Sequence, residues 1–363
     1  MINIGLIGCG YISKKHIDTI AKFEAFRLVA VSDIQEKRMG AAIQQYKELK
    51  KEQIAISSYK NHVDLLHQSN VDVVVISVLS GLHAEIAKQA ILLGKHVIIE
   101  KPLALSLKEA NELIALAEEN QKLILVCHQL RYHPLLKRIK SLIDNHDLGK
   151  LYLGAVDIRI NRNAAYYAAA DWRGTWDLDG GMLLNQGIHL IDLLTWYFGK
   201  VTSVYGEIIT SNTSKETEDI ATGIISFENK AKGVIEANTI TKPENLGYYL
   251  SIFGEKGSIC IGGKNLMTIL HCHIDDYPNV ETELKELSNN NEEHYLMYEN
   301  FLRAFQGKDK LLMSGEAGKT SLETIFSFYK SNLQQTPVVL PLIDFSTKEM
   351  IHSTKITSKE EKT

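Results

Sequence analysis

The stretch INIGLIGCGYISKKH, Ile2 to His16, decides the fold. An apolar, strand-like run ends in Gly8-x-Gly10-x-x-Ser13, and residues with helical spacing follow. Gly8 suits a tight turn. Gly10 lets the backbone approach a pyrophosphate, which would sit on the helix N-terminus beside Tyr11 and Ile12. The third motif position is Ser13 rather than Gly or Ala, so the fingerprint is imperfect. Its context restores it, because strand, turn and helix stand in the right order.

Working outward, FRLVAVSD puts Asp33 at the end of a second strand, about 20 residues beyond the glycines, where an acid meets a ribose 2′-hydroxyl. An acid there disfavours a 2′-phosphate, so NAD is expected over NADP. Lys37 and Arg38 follow closely and suit either a phosphate or a solvated helix face. ISVLSGLHAEIA follows a later strand. Ser80 or His83 is expected to cap the next helix, with Ser77 and Leu79 near the cofactor and His83 in a structural or a chemical role.

The first third alternates strands and helices: IAISSY, VDVVVISV, HVIIE and KLILVC are further strands, and helices separate them. That rhythm means βαβ units and a parallel sheet. After Cys127 the pattern changes. A long strand LYLGAVDIRIN, a loop rich in Tyr, Trp and Arg, and the helix GIHLIDLLTWYF lead into strands in series, which predict an antiparallel sheet. The fold class is therefore α/β: an N-terminal Rossmann dinucleotide-binding domain over 1–127, then an α+β domain over 128–345 built on a large, mostly antiparallel open sheet. A flat face of that sheet suits a homodimer or homotetramer. Residues 346–363 read as a polar tail, and STKITSKEEKT reads as disordered or loosely docked.

The 363 residues are 45% hydrophobic and 23% charged, with a formal net charge of −4, so nothing suggests nucleic acid as a partner. No run of 18 apolar residues appears, so no membrane span is expected. Cys9, Cys127, Cys260 and Cys272 form no C-x-x-C pair, which fits a reducing cytoplasm rather than a disulfide scaffold or zinc site. HCH at His271–His273 offers two ligands on one strand face. Two ligands do not make a metal site, so none is expected.

HVIIEKPLALS, His96 to Ser106, is an apolar strand that ends in a carboxylate, an ammonium and a proline. With Gly-x-Gly, GLHAEIAKQAILLGKHVIIEKPLA, GIHLID, FGEKGSICI and VVLP, the chain from Met1 to about Pro341 strongly resembles the glucose-fructose oxidoreductase / inositol dehydrogenase (Gfo/Idh/MocA) family. The resemblance implies a cis Lys101–Pro102 bond, a catalytic Lys101 carried to the nicotinamide, and Glu100 beside the cofactor.

Oxidising a sugar hydroxyl needs a group to take its proton, with a pKa near the working pH. Lys101 and His189 both qualify, Lys101 if burial and a cationic nicotinamide depress its pKa. Asn185, His189 and Asp192 are spaced i, i+4, i+7, which predicts one polar face on an apolar helix. The family often has Asp where this chain has Asn185. An amide orients a hydroxyl but takes no proton, so more weight falls on Lys101 and His189. Asn185 and QLRYHPLLKRIK, Gln129 to Lys140, resemble the nucleotide-sugar branch, the UDP-N-acetylglucosaminuronate 3-dehydrogenases. That makes Arg131 a candidate for a substrate carboxylate or phosphate and Gln129 a cofactor neighbour. YYAAADWRGTWDLDGG, Tyr166 to Gly181, looks more like the general sugar dehydrogenases. There Trp172 and Arg173 line the nicotinamide–sugar cleft. Tyr166, Tyr167 and Trp176 serve either the sugar or packing, and Gln186 joins the substrate residues. The expected reaction is NAD-dependent oxidation of a secondary hydroxyl, C3, of a sugar or nucleotide-linked sugar. A 3-ketosugar reductase using NADP, a redox-assisted elimination or glycoside cleavage, and a non-catalytic sugar or NAD sensor are the alternatives.

Overall fold

The computed structural model describes residues 1–351 apart from Glu52, Ile54 and Thr213. The polar segment Ser353–Thr363 lies outside the described residues. The chain forms two compact units. The first comprises Met1–Ala104, Glu109–Gln129 and Glu292–Gly318; the second comprises Leu105–Lys108, Leu130–Asn291 and the chain from Lys319 onward.

In the first unit the strands are β1 (Ile2–Ile7), β2 (Phe26–Ser32), β3 (Ser57–Tyr59), β4 (Val73–Ile76), β5 (His96–Ile99) and β6 (Ile124–Val126). They form a parallel sheet in the order β3-β2-β1-β4-β5-β6. That is the doubly wound order, and it reverses between β1 and β4, where such folds bind ligands beyond the strand carboxyl ends. All four residues of β4 are fully buried, as a central parallel strand covered on both faces requires. The third strand is shorter than IAISSY: pairing with β2 begins only at Ser57. Helices α1 (Ser13–Lys22), α2 (Glu36–Lys50), α3 (His62–Leu66), α4 (His83–Leu92) and α5 (Leu107–Glu119) make the crossovers.

In the second unit come α6 (Pro134–Asp144), β7 (Leu151–Arg159), α7 (Ala164–Ala168), α8 (Ile188–Phe198), β8 (Val201–Ile209), β9 (Ile220–Phe227), β10 (Lys232–Asn238), β11 (Gly247–Gly254), β12 (Gly257–Gly262), β13 (Thr268–Ile274) and α9 (Val280–Leu287). Helices α10 (Glu293–Phe305) and α11 (Gly315–Gln334) and strand β14 (Val338–Val339) follow in the chain. The eight strands run β13-β12-β11-β7-β10-β9-β8-β14. Every pair is antiparallel except β7 with β10. Strand β7 buries Gly154, Val156 and Ile158 and leaves Leu153, Ala155, Asp157 and Arg159 on the other face, the period of two that a half-covered sheet imposes.

Two boundaries differ from the sequence reading. Helix α10 belongs to the first unit, although the sequence places it in the second domain. Its aromatic face explains this: Tyr295 stacks on Phe23 with ring centroids 4.4 Å apart, and Tyr298 meets Phe26 edge-on at 6.0 Å. The polar tail also begins later than residue 346. Thr347 is fully buried and its hydroxyl donates to the Trp176 carbonyl at 2.6 Å, and Met350 is buried too.

Candidate functional site

In the first unit the β1–α1 turn is built around Gly8, at φ +88°. A Cβ there would stand 2.4 Å from the Ser77 carbonyl oxygen, so only glycine lets the ends of β1 and β4 close together. The Ser77 hydroxyl seals the contact, donating to the Gly8 carbonyl at 2.7 Å. At Gly10 the space a Cβ would take is open. Tyr11 beside it is 90% exposed, and Ile12 and Leu79 are half-buried. Ser13, the imperfect third position, is buried, and its hydroxyl donates to the Gly10 carbonyl at 2.6 Å, fixing the turn.

Asp33 follows β2 and accepts the backbone N–H of Cys9 on one oxygen and of Gln35 on the other, each at 2.8 Å. Each oxygen keeps a further lone pair for a ribose hydroxyl. Lys37 and Arg38 are exposed beside it. The Cys9 thiol is pushed up to about 12 by burial and by Asp33, so it stays protonated. An open backbone cradle, a helix start and an acid with spare acceptor capacity fit a dinucleotide.

Neither Ser80 nor His83 caps α4 through its side chain. His83 is fully buried, with Nδ1 2.7 Å from the Pro102 carbonyl oxygen and Nε2 3.2 Å from that of Val78. Burial lowers its pKa, and the one N–H of the neutral ring, placed on Nδ1, donates to Pro102 and ties the segment after β4 to the segment after β5.

Strand β5 ends at Ile99, and Glu100 is buried just beyond it. Three groups, His16, Tyr298 and Cys127, far apart in the chain, surround this carboxylate. His16 Nε2 lies 2.9 Å from Glu100 Oε1, and His16 Nδ1 lies 2.7 Å from the Tyr298 hydroxyl. Burial pushes the Tyr298 hydroxyl well above its ordinary range, so it keeps its proton. His16 donates from Nε2 to the Glu100 carboxylate. Burial alone would push the Glu100 carboxyl up, but the His16 hydrogen bond and the Lys101 ammonium outweigh it and hold it at about 2. Cys127 completes a buried His16–Glu100–Cys127 group whose donor atoms lie within 4.8 Å of one another. Both His16 nitrogens already have partners, and the Cys127 thiol is pushed well up by burial. Lys101 is half-buried next in the chain, and its bond to Pro102 is cis, as the family resemblance implies. Gln129 begins a short 3₁₀ turn that ends at Tyr132.

The second unit holds the remaining sequence-selected residues. Leu183–Gly187 forms a π-turn that leads into α8, a rare conformation frequent at functional sites. Its start is fixed by Glu218, fully buried, whose Oε1 accepts Leu183 N–H at 2.9 Å and the Tyr329 hydroxyl at 2.7 Å. Burial raises the pKa of this carboxyl. Gly181 leads in at φ +104°, and a Cβ there would lie 2.6 Å from Glu218 Oε2.

Asn185, on the π-turn, donates its amide to the Asp179 carboxylate, which also accepts Gly174 N–H at 2.8 Å. Asp179 is buried, and the sequence reading missed it although it lies in the quoted WDLDGG. A carboxylate therefore stands next to Asn185 after all. His189 is half-buried in the first turn of α8. Asp192 does not join them in a common stripe. It is buried against Arg131, which turns Nε and Nη2 onto its two oxygens at 2.7 and 2.8 Å, and it also accepts the Ser321 hydroxyl at 2.5 Å. Arg131 is thus committed to a structural fork under the Trp196 ring, not presented to a substrate anion.

Tyr166, Trp172, Arg173 and Gln186 are all half-buried. Arg173 donates Nη1 to the Tyr166 carbonyl at 2.7 Å, and its guanidinium carbon lies 4.3 Å from the Tyr166 ring centre and 5.5 Å from that of Trp172. Gln186 donates to the Tyr166 hydroxyl at 3.3 Å. Trp176 is core, edge-on to Tyr329 at 5.2 Å. His271 and His273, on β13, bond to Ser258 of β12 and to Asp275. The four cysteines are free thiols. No helix among the described residues is long and apolar enough to cross a membrane.

Comparison with known proteins agrees with this geometry. A family model described as oxidoreductase family, NAD-binding Rossmann fold, matches residues 2–128, and one described as GFO/IDH/MocA C-terminal domain matches residues 136–260. The WlbA dehydrogenase from Chromobacterium violaceum, solved in complex with NADH and UDP-GlcNAcA, is 31% identical; the alignment covers 94% of this chain and 96% of that one, with a TM-score of 0.87. WlbA from Bordetella pertussis, solved with the same two ligands, is 30% identical over 94% of this chain and 98% of its own, with a TM-score of 0.86. The myo-inositol 2-dehydrogenase of Thermotoga maritima is 25% identical over 263 residues, 71% of this chain and 74% of its own.

Proposed function

This chain belongs to the Gfo/Idh/MocA family of NAD-binding oxidoreductases, and from that premise we propose that it oxidises a secondary hydroxyl, at C3, of a sugar or nucleotide-linked sugar. The observation that carries the reading is Lys101, held half-buried beyond the buried Glu100 at the carboxyl end of β5. The likeness to WlbA over 94% of the chain supports the nucleotide-sugar version.

Gly8, Gly10, Tyr11 and Ile12 form the pyrophosphate cradle, Asp33 takes the ribose hydroxyls, and Ser77 and Leu79 border the turn. Glu100, His83, Gln129, Trp172 and Arg173 complete the cofactor surroundings in this reading. When bound, the nicotinamide supplies the hydride acceptor. Lys101 and His189 hold and move the hydroxyl proton, His189 by alternating between neutral and charged rings. Asn185, its amide oriented by a hydrogen bond to Asp179, positions the sugar hydroxyl in this reading. Self-association is part of the reading: the face of the large sheet that carries Leu153, Ile224, Val234 and Phe253 leaves each of them exposed.

The test is reduced-nicotinamide absorbance on mixing the protein with NAD and, in turn, UDP-sugars and free sugars. Reduction with UDP-sugars alone supports the nucleotide-sugar reading, and reduction with free sugars supports the broader one. No reduction with any of them contradicts both.

A further inference from the structure

The second unit contains five arginines. Three have carboxylate partners: Arg131 with Asp192, Arg138 with Glu283 and Arg159 with Glu236. Arg162 and Arg173 have none among the described residues, yet both lean on one ring. The Arg162 guanidinium carbon lies 5.1 Å from the Tyr166 ring centre and that of Arg173 lies 4.3 Å from it. The two cations therefore stand less than about 10 Å apart, comparable with the Debye length of roughly 8 Å in physiological salt. Like charges this close repel.

Their fixed ends explain how they are held. Arg162 donates Nη1 to the Asn161 carbonyl at 2.8 Å, as Arg173 does to that of Tyr166. The Nε atoms of both are buried without an acceptor. Both side chains are half-exposed overall, and the Tyr248 hydroxyl is a further neighbour of Arg162. A planar fork with unspent N–H groups matches carboxylate and phosphate oxygens. Gln186 adds a further polar edge at the Tyr166 hydroxyl. Four chain segments thus converge: the end of β7, α7, the Trp-Arg loop and the π-turn.

We propose that Arg162 and Arg173, braced on Tyr166, form an anion subsite that takes the carboxylate or phosphate oxygens of the substrate. This rests on the sugar-dehydrogenase reading and narrows its substrate class to negatively charged sugars. It also moves the anion-binding role from Arg131, which the sequence suggested, to Arg173 together with Arg162, which the sequence reading passed over.

The experiment is calorimetric binding to the NAD-loaded protein, which needs no turnover and so can succeed or fail independently of the dehydrogenase reading. The probes are D-glucuronate, D-glucose 6-phosphate, UDP and neutral D-glucose, titrated to millimolar concentration at low and high salt. At least one anion is expected to bind ten-fold or more tighter than glucose, with the advantage shrinking in salt. Arg162→Gln removes that advantage and leaves glucose unchanged, and Arg162→Lys keeps part of it. Preference among glucuronate, glucose 6-phosphate and UDP identifies whether a sugar carboxylate, a sugar phosphate or a nucleotide diphosphate supplies the oxygens. An unchanged anion advantage in an Arg162→Gln protein with wild-type thermal stability overturns the proposal, as does failure of every anion to outbind glucose.

Discussion

His16 Nε2 lies 2.9 Å from Glu100 Oε1, and both side chains are buried, so the residue before Lys101 is anchored by a helix residue 84 positions earlier in the chain. Glu100→Gln removes the negative charge and reverses one hydrogen-bonding edge. Misplacement by about 1 Å near reacting atoms costs on the order of 10²-fold. Steady-state kinetics should show kcat falling by about that factor, with NAD affinity changed only a few-fold. A variant with wild-type kcat contradicts the positioning role.

Gly8 and Gly10 separate folding from binding. Gly8→Ala forces a Cβ against the Ser77 carbonyl at a positive φ, and the melting temperature should fall. Gly10→Val meets open space, so stability should hold while NAD affinity falls ten-fold or more, about 1.4 kcal/mol. Calorimetry of NAD binding beside a thermal melt reads both. Undiminished affinity in Gly10→Val means that the pyrophosphate does not approach there.

Arg131→Met should behave as a stability variant. It takes the guanidinium fork away from the Asp192 carboxylate, which is 1% exposed. Breaking one side of such a pair costs about 3–5 kcal/mol. Urea unfolding checks this. Full stability with weakened substrate binding points back to the role that the sequence suggested.

The chain should lose stability as acid is added, well before its carboxylates titrate. Burial and the neighbouring His16 hold His294 at about 4, against about 6.5 in an unfolded chain. Between those values the unfolded state takes up a proton that the folded state refuses, so stability falls as pH drops through that window, by up to about 3 kcal/mol from this group. His96, also held at about 4 by burial and Lys122, adds to the slope. Melting temperatures from pH 7.5 to 4.5 should fall more steeply for the wild type than for His294→Gln. Parallel curves contradict the assignment.

What was legible in the sequence was local. Strand, Gly-x-Gly turn and helix follow one another within fifteen residues, and Asp33 and Lys101 sit at strand ends that apolar runs announce. What was hidden depends on side chains meeting across long separations. Nothing near Arg131 in the sequence reveals that Asp192 will claim its fork, and nothing near Arg162 reveals that no carboxylate will. The i, i+4, i+7 reading of Asn185, His189 and Asp192 assumed regular helix, whereas Glu218 holds the segment before α8 as a π-turn. Helix α10 joins the first unit through Tyr295 and Tyr298, whose partners Phe23, Phe26 and His16 lie some 280 residues earlier.

The central claim is that Lys101 serves the proton transfer that accompanies hydride transfer. The measurement is reduced-nicotinamide formation by Lys101→Met under saturating NAD and whichever sugar the wild type oxidises, with NAD affinity measured on the same sample. Loss of about 10²–10⁴-fold in rate with NAD affinity within a few-fold of wild type is the predicted result. A variant that turns over at the wild-type rate contradicts it.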